Sequence, residues 1–143
     1  MAIETIISFD MDSTMIHTML PEEGRKIWLE RKGENFPHPI GWWGKEESLD
    51  TEVFYHPVNQ WVLKKYEEHT SDDKSISFMA TGRLEKLKHK VLEILQIHNL
   101  DKFESVNCNY MKCDTFKFKV RLFEEKIKQY PTATEFIMYD DRQ

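Results

Sequence analysis

Short runs of apolar, β-branched residues recur along this chain with helical stretches between them, and this alternation limits the possible folds more than any other feature of the sequence. Runs of this kind are too short to be helices and are typical of buried strands. They predict four strands, over residues 4–9, 75–80, 103–106 and 135–139.

Apolar residues at helical spacing predict the elements between these strands. Helices are expected over about 57–69, from about Leu84, and from Thr115, which we assign as an N-cap, to the break at Pro131. Strands that alternate with helices form a mostly parallel sheet between helical layers. We therefore predict an α/β fold of the three-layer, Rossmann-like type.

Length and charge limit the function further. The 143 residues fit one domain, and residues 15–55, which mix aromatics, Pro and Gly without a clean period, should form an excursion from its core. With 25 acidic against 20 basic side chains the formal charge is −5, so no global positive field attracts nucleic acid, although a local basic patch stays possible.

The sequence also predicts a cellular setting. Two cysteines, Cys108 and Cys113, do not make a disulfide framework, which favours a reducing, cytoplasmic environment. No window approaches the roughly 18 apolar residues of a membrane span, so no membrane partner is expected. No protein partner can be predicted from these 143 residues.

Three predicted strands end in polar residues that suit chemistry. The first is followed by Asp10-Met11-Asp12-Ser13-Thr14, the second by Thr81-Gly82-Arg83, and the last by Asp140-Asp141. Parallel strands present their carboxyl ends at one edge of the sheet, where ligands bind. A lone Asp-x-Asp would more often cap a turn. Four carboxylates at one edge would repel strongly without a cation, so the arrangement predicts a bound metal.

These motifs resemble the signature of the haloacid-dehalogenase superfamily: a DxDxT loop after the first strand, a Thr or Ser after the second, a lysine and a final acidic pair. The resemblance covers the chain from Asp10 to Asp141 and implies a small cap inserted over residues 15–55. It also implies a phosphohydrolase that acts through an aspartyl-phosphate. Asp12 favours a phosphatase over a dehalogenase, because a halide leaves without a proton.

The resemblance further implies a role for each residue. Asp10 would be the nucleophile, and Asp12 the general acid and then the general base. Mg²⁺ would be bound by Asp10, the backbone carbonyl of Asp12, Asp140 and Asp141. Thr81, with Gly82, would hold a phosphoryl oxygen at the start of the helix expected from Leu84, where a helix N-terminus favours anions.

The lysine of the signature has more than one candidate. Lys112, Lys117 and Lys119 all lie near the helix that precedes the last strand. The string DTFKFK resembles a TxxFK pattern in one branch of the superfamily, which favours Lys119 over the alternative, Lys117. Most lysines in such positions are merely solvated.

Two further strings concern the substrate. The segment Gly41-Trp42-Trp43-Gly44, together with TxxFK and the terminal DDR, resembles the phosphatase-like domains of Swiss-Army-Knife RNA-repair proteins. That resemblance implies a nucleotide or a terminal phosphate of nucleic acid, with Trp42 or Trp43 stacking on a base. A tryptophan next to another at a Gly-flanked turn often pins a loop to the core, and for at least one of the two this is the stronger interpretation. Arg83 and Arg142 would bind a second phosphate or pair with acidic residues.

Two alternatives to a phosphatase stay open at this point. A phosphotransferase or phosphomutase would pass the same aspartyl-phosphate to an acceptor other than water. A binding domain could retain the fold without turnover, although intact Asp10, Asp12, Thr81 and Asp140 argue against that.

Overall fold

The fold is described from a computed structural model, which covers residues 2–111 and 114–141. It contains four strands and four α-helices in the order β1, α1, α2, β2, α3, β3, α4 and β4. Their bounds are Thr5–Phe9 (β1), Pro21–Lys32 (α1), Gln60–Thr70 (α2), Ser75–Leu84 (β2), Lys88–Ile97 (α3), Val106–Asn109 (β3), Thr115–Gln129 (α4) and Glu135–Tyr139 (β4). Two short 3₁₀ helices, Glu46–Leu49 and Glu85–Leu87, precede α2 and α3.

The four strands form one parallel sheet in the order β3-β2-β1-β4. Side chains of alternate strand residues point to opposite faces, so Ile7 and Phe9 of β1 pack with α2 and α3, whereas Ile6 packs with Phe118 and Leu122 of α4. Helices therefore cover both faces of the sheet, and the prediction of a three-layer α/β fold is confirmed. Strand β1 lies between β2 and β4, which brings the residues after these strands to one edge.

Several predicted boundaries are wrong, and pairing between strands β2 and β3, which are distant in sequence, explains the differences. Strand β2 continues through Thr81–Gly82–Arg83 to Leu84, and α3 begins only at Lys88, because Leu84 pairs with Asn109 beyond a register shift. Strand β3 covers Val106–Asn109 rather than 103–106. The pairing of β2 with β3 determines where each of these strands ends. The spacing of apolar residues alone does not show that pairing.

The segment between β1 and α2 contains a helix that the apolar pattern did not predict. Helix α1 buries only Gly24 and Trp28, so its apolar stripe is narrow. Its ends nevertheless carry standard signals, because Pro21 stands at the first helical position and Gly33 ends the helix in a left-handed conformation with φ 73°. An aromatic cluster that also contains one valine holds this segment together: Trp28, Phe36, Trp42, Val53 and Phe54.

The packing of Gly24 against Trp42 supplies a stability test. A Cβ atom at position 24 would overlap the Trp42 ring. We expect Gly24→Ala to destabilise the protein by about 1–3 kcal/mol through this overlap, although Ala favours a helix by about 1 kcal/mol over Gly. Denaturant unfolding measures the change. Gly44→Ala is the control, because a Cβ at position 44 meets nothing within 4 Å; equal stability of the two variants would contradict the packing argument.

Candidate active site

The ends of β1 and β4 bring three acidic residues together. The backbone N–H of Asp10 donates to the carbonyl of Tyr139 at 2.9 Å, which fixes the two strand ends side by side. Carboxylate oxygens of Asp10, Asp140 and Asp141 all lie within 4.8 Å of one another. A large separation of Asp10 from Asp140 would have excluded a shared metal ion, and the structure places them together.

Lys119 contacts two members of this acidic group. Its Nζ is 2.7 Å from Oδ1 of Asp10 and 2.7 Å from Oδ2 of Asp140, and its side chain is 7 % exposed. The side chain reaches the site from the buried face of α4, next to Phe118. Lys117, the alternative, is exposed on the same helix, and Lys112 lies outside the described residues.

The environment of Asp10 combines burial with two hydrogen-bond donors. Burial raises the pKa of Asp10 to about 6, while the charge and hydrogen bond of Lys119 oppose that rise. The hydroxyl of Thr14 donates to Oδ2 of Asp10 at 3.0 Å, so each carboxylate oxygen has a donor. The DxDxT pattern contained Thr14, and this contact gives the residue a physical role that spacing alone did not supply.

Asp12 has a different set of partners. Nη2 of Arg83 is 2.7 Å from Oδ1 of Asp12, Nε of Arg83 contacts both carboxylate oxygens at 3.2 and 3.1 Å, and the hydroxyl of Thr18 donates to Oδ1 at 2.6 Å. Burial on its own raises the pKa of Asp12, but the hydrogen bonds and charge of Arg83 outweigh it, and the pKa lies below its ordinary value. The side chain of Asp12 is therefore held as a carboxylate, separate from the group around Lys119.

The structure corrects the expected placement of the Thr81 segment. Thr81 is fully buried within β2, and its Oγ1 accepts a hydrogen bond from the backbone N–H of Arg83 at 3.1 Å. Since α3 begins seven residues later, at Lys88, its N-terminus is not the neighbour of Thr81 that the sequence predicted. Phosphate binding by Thr81 and Gly82 stays a prediction.

The start of α4 adjoins the site instead. A Cβ atom on Gly82 would lie 2.5 Å from Oγ1 of Thr115, so β2 and the first turn of α4 pack closely, and Thr115 lines the same cleft as Asp10. The assignment of Thr115 as the N-cap is wrong, because the carboxylate of Asp114 accepts from the N–H of Phe116 and caps the helix. A helix N-terminus that could favour an anion is thus present, but it belongs to α4.

An open cleft of about 580 Å³ leads to these residues. Its walls come from both the sheet edge and the 15–55 segment: Asp10, Asp12, Ser13, Leu20, Trp43, Gly44, Gly82, Arg83, Leu84, Thr115 and Asp141. Trp43 is 41 % exposed on this wall. Trp42 is 3 % exposed, its ring N–H donates to the carbonyl of Met19, and it packs in the aromatic cluster; the prediction that it stacks on a ligand is therefore wrong for Trp42 and stays a prediction for Trp43.

Several lining residues were missed by sequence reasoning. Leu20 and Leu84 give the cleft an apolar side, and Ser13 lies in it with a positive φ of 62°. No local pattern marked the two leucines, because the place of Leu20 depends on the path of the 15–55 segment and that of Leu84 on the extension of β2. Arg142 and Cys113 lie outside the described residues.

The acidic group suits a hard divalent cation. Carboxylate oxygens are the ligands that Mg²⁺ prefers, and the group Asp10, Asp140 and Asp141 offers three of them beside a cleft. The carboxylate of Asp12, bound by Arg83, is not part of that group among residues 2–111 and 114–141, so only its backbone carbonyl stays a predicted ligand.

In the same described ranges, no helix is both long and apolar enough to cross a membrane.

The structure is similar to that of a solved protein. A haloacid dehalogenase-like family hydrolase, SP0104 from Streptococcus pneumoniae, is similar with a TM-score of 0.54 over 94 % of this chain and 74 % of that chain. The chain has a haloacid-dehalogenase-like fold. The two sequences are 12 % identical, so the similarity is one of fold.

Sequence comparison finds a relative of this chain in yeast. The chain is 28 % identical to the uncharacterized protein YMR265C of Saccharomyces cerevisiae, over 99 % of this chain and 35 % of that protein. The chain thus spans about a third of the length of the curated relative that it matches. No protein-family model matches the chain.

Proposed function

We propose that this chain is a Mg²⁺-dependent phosphohydrolase that cleaves phosphomonoesters through a phosphorylated Asp10. One observation carries the proposal: Asp10 lies beside a cleft, with Lys119 and the acidic pair against it and Asp12 lining the same cleft. Burying a carboxylate among other carboxylates costs free energy, and groups of this kind are concentrated at functional sites. A nucleophile beside a cation-binding group is one such function.

The proposed reaction has two halves. An oxygen of Asp10 attacks phosphorus, the bond from phosphorus to the ester oxygen breaks, and the departing oxygen keeps the electron pair and takes a proton from Asp12. Water then attacks the phosphorus of the aspartyl-phosphate, gives its proton to Asp12, and releases inorganic phosphate and the free Asp10 carboxylate. Arg83 favours the carboxylate form of Asp12, so the mechanism requires Asp12 to take up a proton from solvent before the first half. The attacking water restores that proton in the second half.

Charge neutralisation is the main task of the surrounding residues. Both the nucleophile and a phosphomonoester are anionic, and they repel each other unless cations lie between them. Lys119, at 2.7 Å from Asp10, supplies one fixed positive charge, and the first turn of α4 at Thr115 adds backbone dipoles of the same sign. A Mg²⁺ ion held by Asp10, Asp140 and Asp141 would supply the remaining charge and polarise the phosphoryl oxygens.

The cleft supports a substrate with a flat or apolar group next to its phosphate. Trp43 is partly exposed where it lines the cleft, and Leu20 and Leu84 line the cleft with it. A nucleotide, or a terminal phosphate of nucleic acid, fits this chemistry because bases stack on aromatic rings. The 15–55 segment would then act as a small cap that leaves the cleft open to a polymer end.

A panel of phosphorylated substrates tests this function. We expect phosphate release with Mg²⁺ from some members of a panel of nucleotides, 3′- and 5′-phosphorylated oligonucleotides and sugar phosphates, and no release after EDTA treatment. Release that is equally fast with EDTA would contradict the metal-dependent mechanism. Transfer of phosphate to an added alcohol without release to water would favour the phosphotransferase, and no turnover of any member would favour the binding domain.

A further inference from the structure

Arg83 is buried, yet its guanidinium uses every nitrogen. Its side chain is 1 % exposed. Nε and Nη2 donate to the carboxylate of Asp12, while Nη1 donates to the carbonyl of Trp43 at 2.7 Å and to Oγ of Ser48 at 2.8 Å. The guanidinium carbon also lies 4.9 Å from the centre of the Trp43 ring. A planar group with donors in fixed directions can hold several acceptors in one relative geometry.

The partners of Arg83 come from separate parts of the chain. Asp12 belongs to the loop after β1, whereas Trp43 and Ser48 belong to the 15–55 segment, and Arg83 itself lies in β2. Ser48 is fully buried and donates its own hydroxyl to the carbonyl of Lys45, which orients its oxygen toward Arg83. Through Arg83, the position of the 43–48 stretch is coupled to the carboxylate of Asp12.

A proton donor or acceptor must be held in a defined direction to serve a departing or attacking oxygen. We propose that Arg83 is a positioning residue that fixes the carboxylate of Asp12 to the 43–48 stretch, and so adapts the site to substrates whose leaving group needs a proton. This inference rests on the proposed phosphohydrolase function. In this proposal Arg83 acts on Asp12, and other residues of the cleft contact the substrate.

The proposal predicts which substrates are turned over more slowly when the contact between Arg83 and Asp12 is lost. A phenolate with strongly electron-withdrawing substituents departs without a proton, whereas an alkoxide does not. Loss of Arg83 should therefore slow alkyl phosphates more than 4-nitrophenyl phosphate. Because Asp12 assists after substrate has bound, the change should appear in kcat rather than in KM.

The main test compares Arg83→Met with wild type on an alkyl phosphate and on 4-nitrophenyl phosphate. We expect kcat for the alkyl phosphate to fall by about 10²-fold, the scale of general acid catalysis, and the ratio between the two substrates to change by at least about tenfold in the same comparison. Ser48→Ala, which removes one acceptor of Arg83, should shift the ratio in the same direction by a smaller factor.

Thr51→Ala is the matched control. Thr51 also lies in the 15–55 segment, and its hydroxyl donates to Glu93 of α3 at 2.6 Å, away from Arg83. We expect it to leave the substrate ratio unchanged. In an Asp12→Asn background, Arg83→Met should cause no further change in the ratio, because the residue that Arg83 positions has already lost its function.

The outcomes separate this proposal from a role of Arg83 in substrate binding or folding. A rise in KM with an unchanged kcat ratio would overturn it in favour of substrate contact, and equal loss on both substrates would overturn it in favour of a structural role. If Arg83→Met does not fold, the ratio measured for Ser48→Ala decides, and no shift relative to Thr51→Ala overturns the proposal. A wild-type protein without turnover would instead overturn the phosphohydrolase function on which the proposal rests.

Discussion

Asp10→Asn is expected to reduce phosphate release by at least about 10³-fold, as removal of a covalent nucleophile does in other enzymes. The amide keeps the size of the side chain but cannot attack phosphorus or offer an anionic ligand to a metal. Initial rates with Mg²⁺ on the best substrate of the panel measure the effect. The fold should persist, because Lys119 keeps its second partner, Asp140, at 2.7 Å.

The control for this change is Asp73→Asn, an identical substitution at an exposed position in the turn between α2 and β2. We expect it to retain wild-type turnover. If Asp10→Asn, shown by circular dichroism to be folded, turned over within about tenfold of wild type, a loss far below that of a nucleophile, Asp10 would not be the attacking group.

Lys119→Met is expected to give the second large effect. The methionine keeps most of the buried stem of the side chain and removes the charge that lies between Asp10 and Asp140. Without it, the nucleophile and the substrate phosphate repel each other more strongly, and we expect kcat to fall by about 10²–10³-fold, as on removal of a charge-stabilising donor elsewhere.

Stability should change as well as activity. Removing one partner of a buried ion pair commonly costs about 3–5 kcal/mol, because the remaining charges stay buried without compensation. Saturating Mg²⁺ should restore part of that loss if the acidic group binds the ion. Lys117→Met is the matched control, since Lys117 is exposed two residues away on α4. Loss of turnover in that variant, with Lys119→Met active, would assign the lysine of the signature to Lys117 instead.

The sheet, and the edge at which its acidic residues lie together, could be predicted because both follow from patterns within short stretches of sequence. Apolar runs identified the strands, and the rule that parallel strands end at one edge brought Asp10 near Asp140. Lys119 was favoured from the DTFKFK string, and the helical period then places its side chain next to Phe118 on the buried face of α4. These inferences need no knowledge of loop paths.

The surroundings of Asp12 could not be predicted in this way. Its contact with Arg83 spans 71 positions, and the contact of Arg83 with Ser48 spans 35. Both depend on how the 15–55 segment returns over the sheet edge, which its mixed composition does not specify. The same dependence explains why sequence reasoning could not distinguish buried Trp42 from exposed Trp43, since the two residues are adjacent in an irregular segment.

The most direct test of the account is to trap the covalent intermediate. Protein mixed with substrate and Mg²⁺ is quenched in acid within milliseconds, digested, and analysed by mass spectrometry for a phosphoryl group on the peptide that contains Asp10. The account predicts this adduct at Asp10, its disappearance after hydroxylamine treatment, and its absence in Asp10→Asn. Turnover with no phosphorylated peptide, or with the phosphoryl group on another residue, would contradict it.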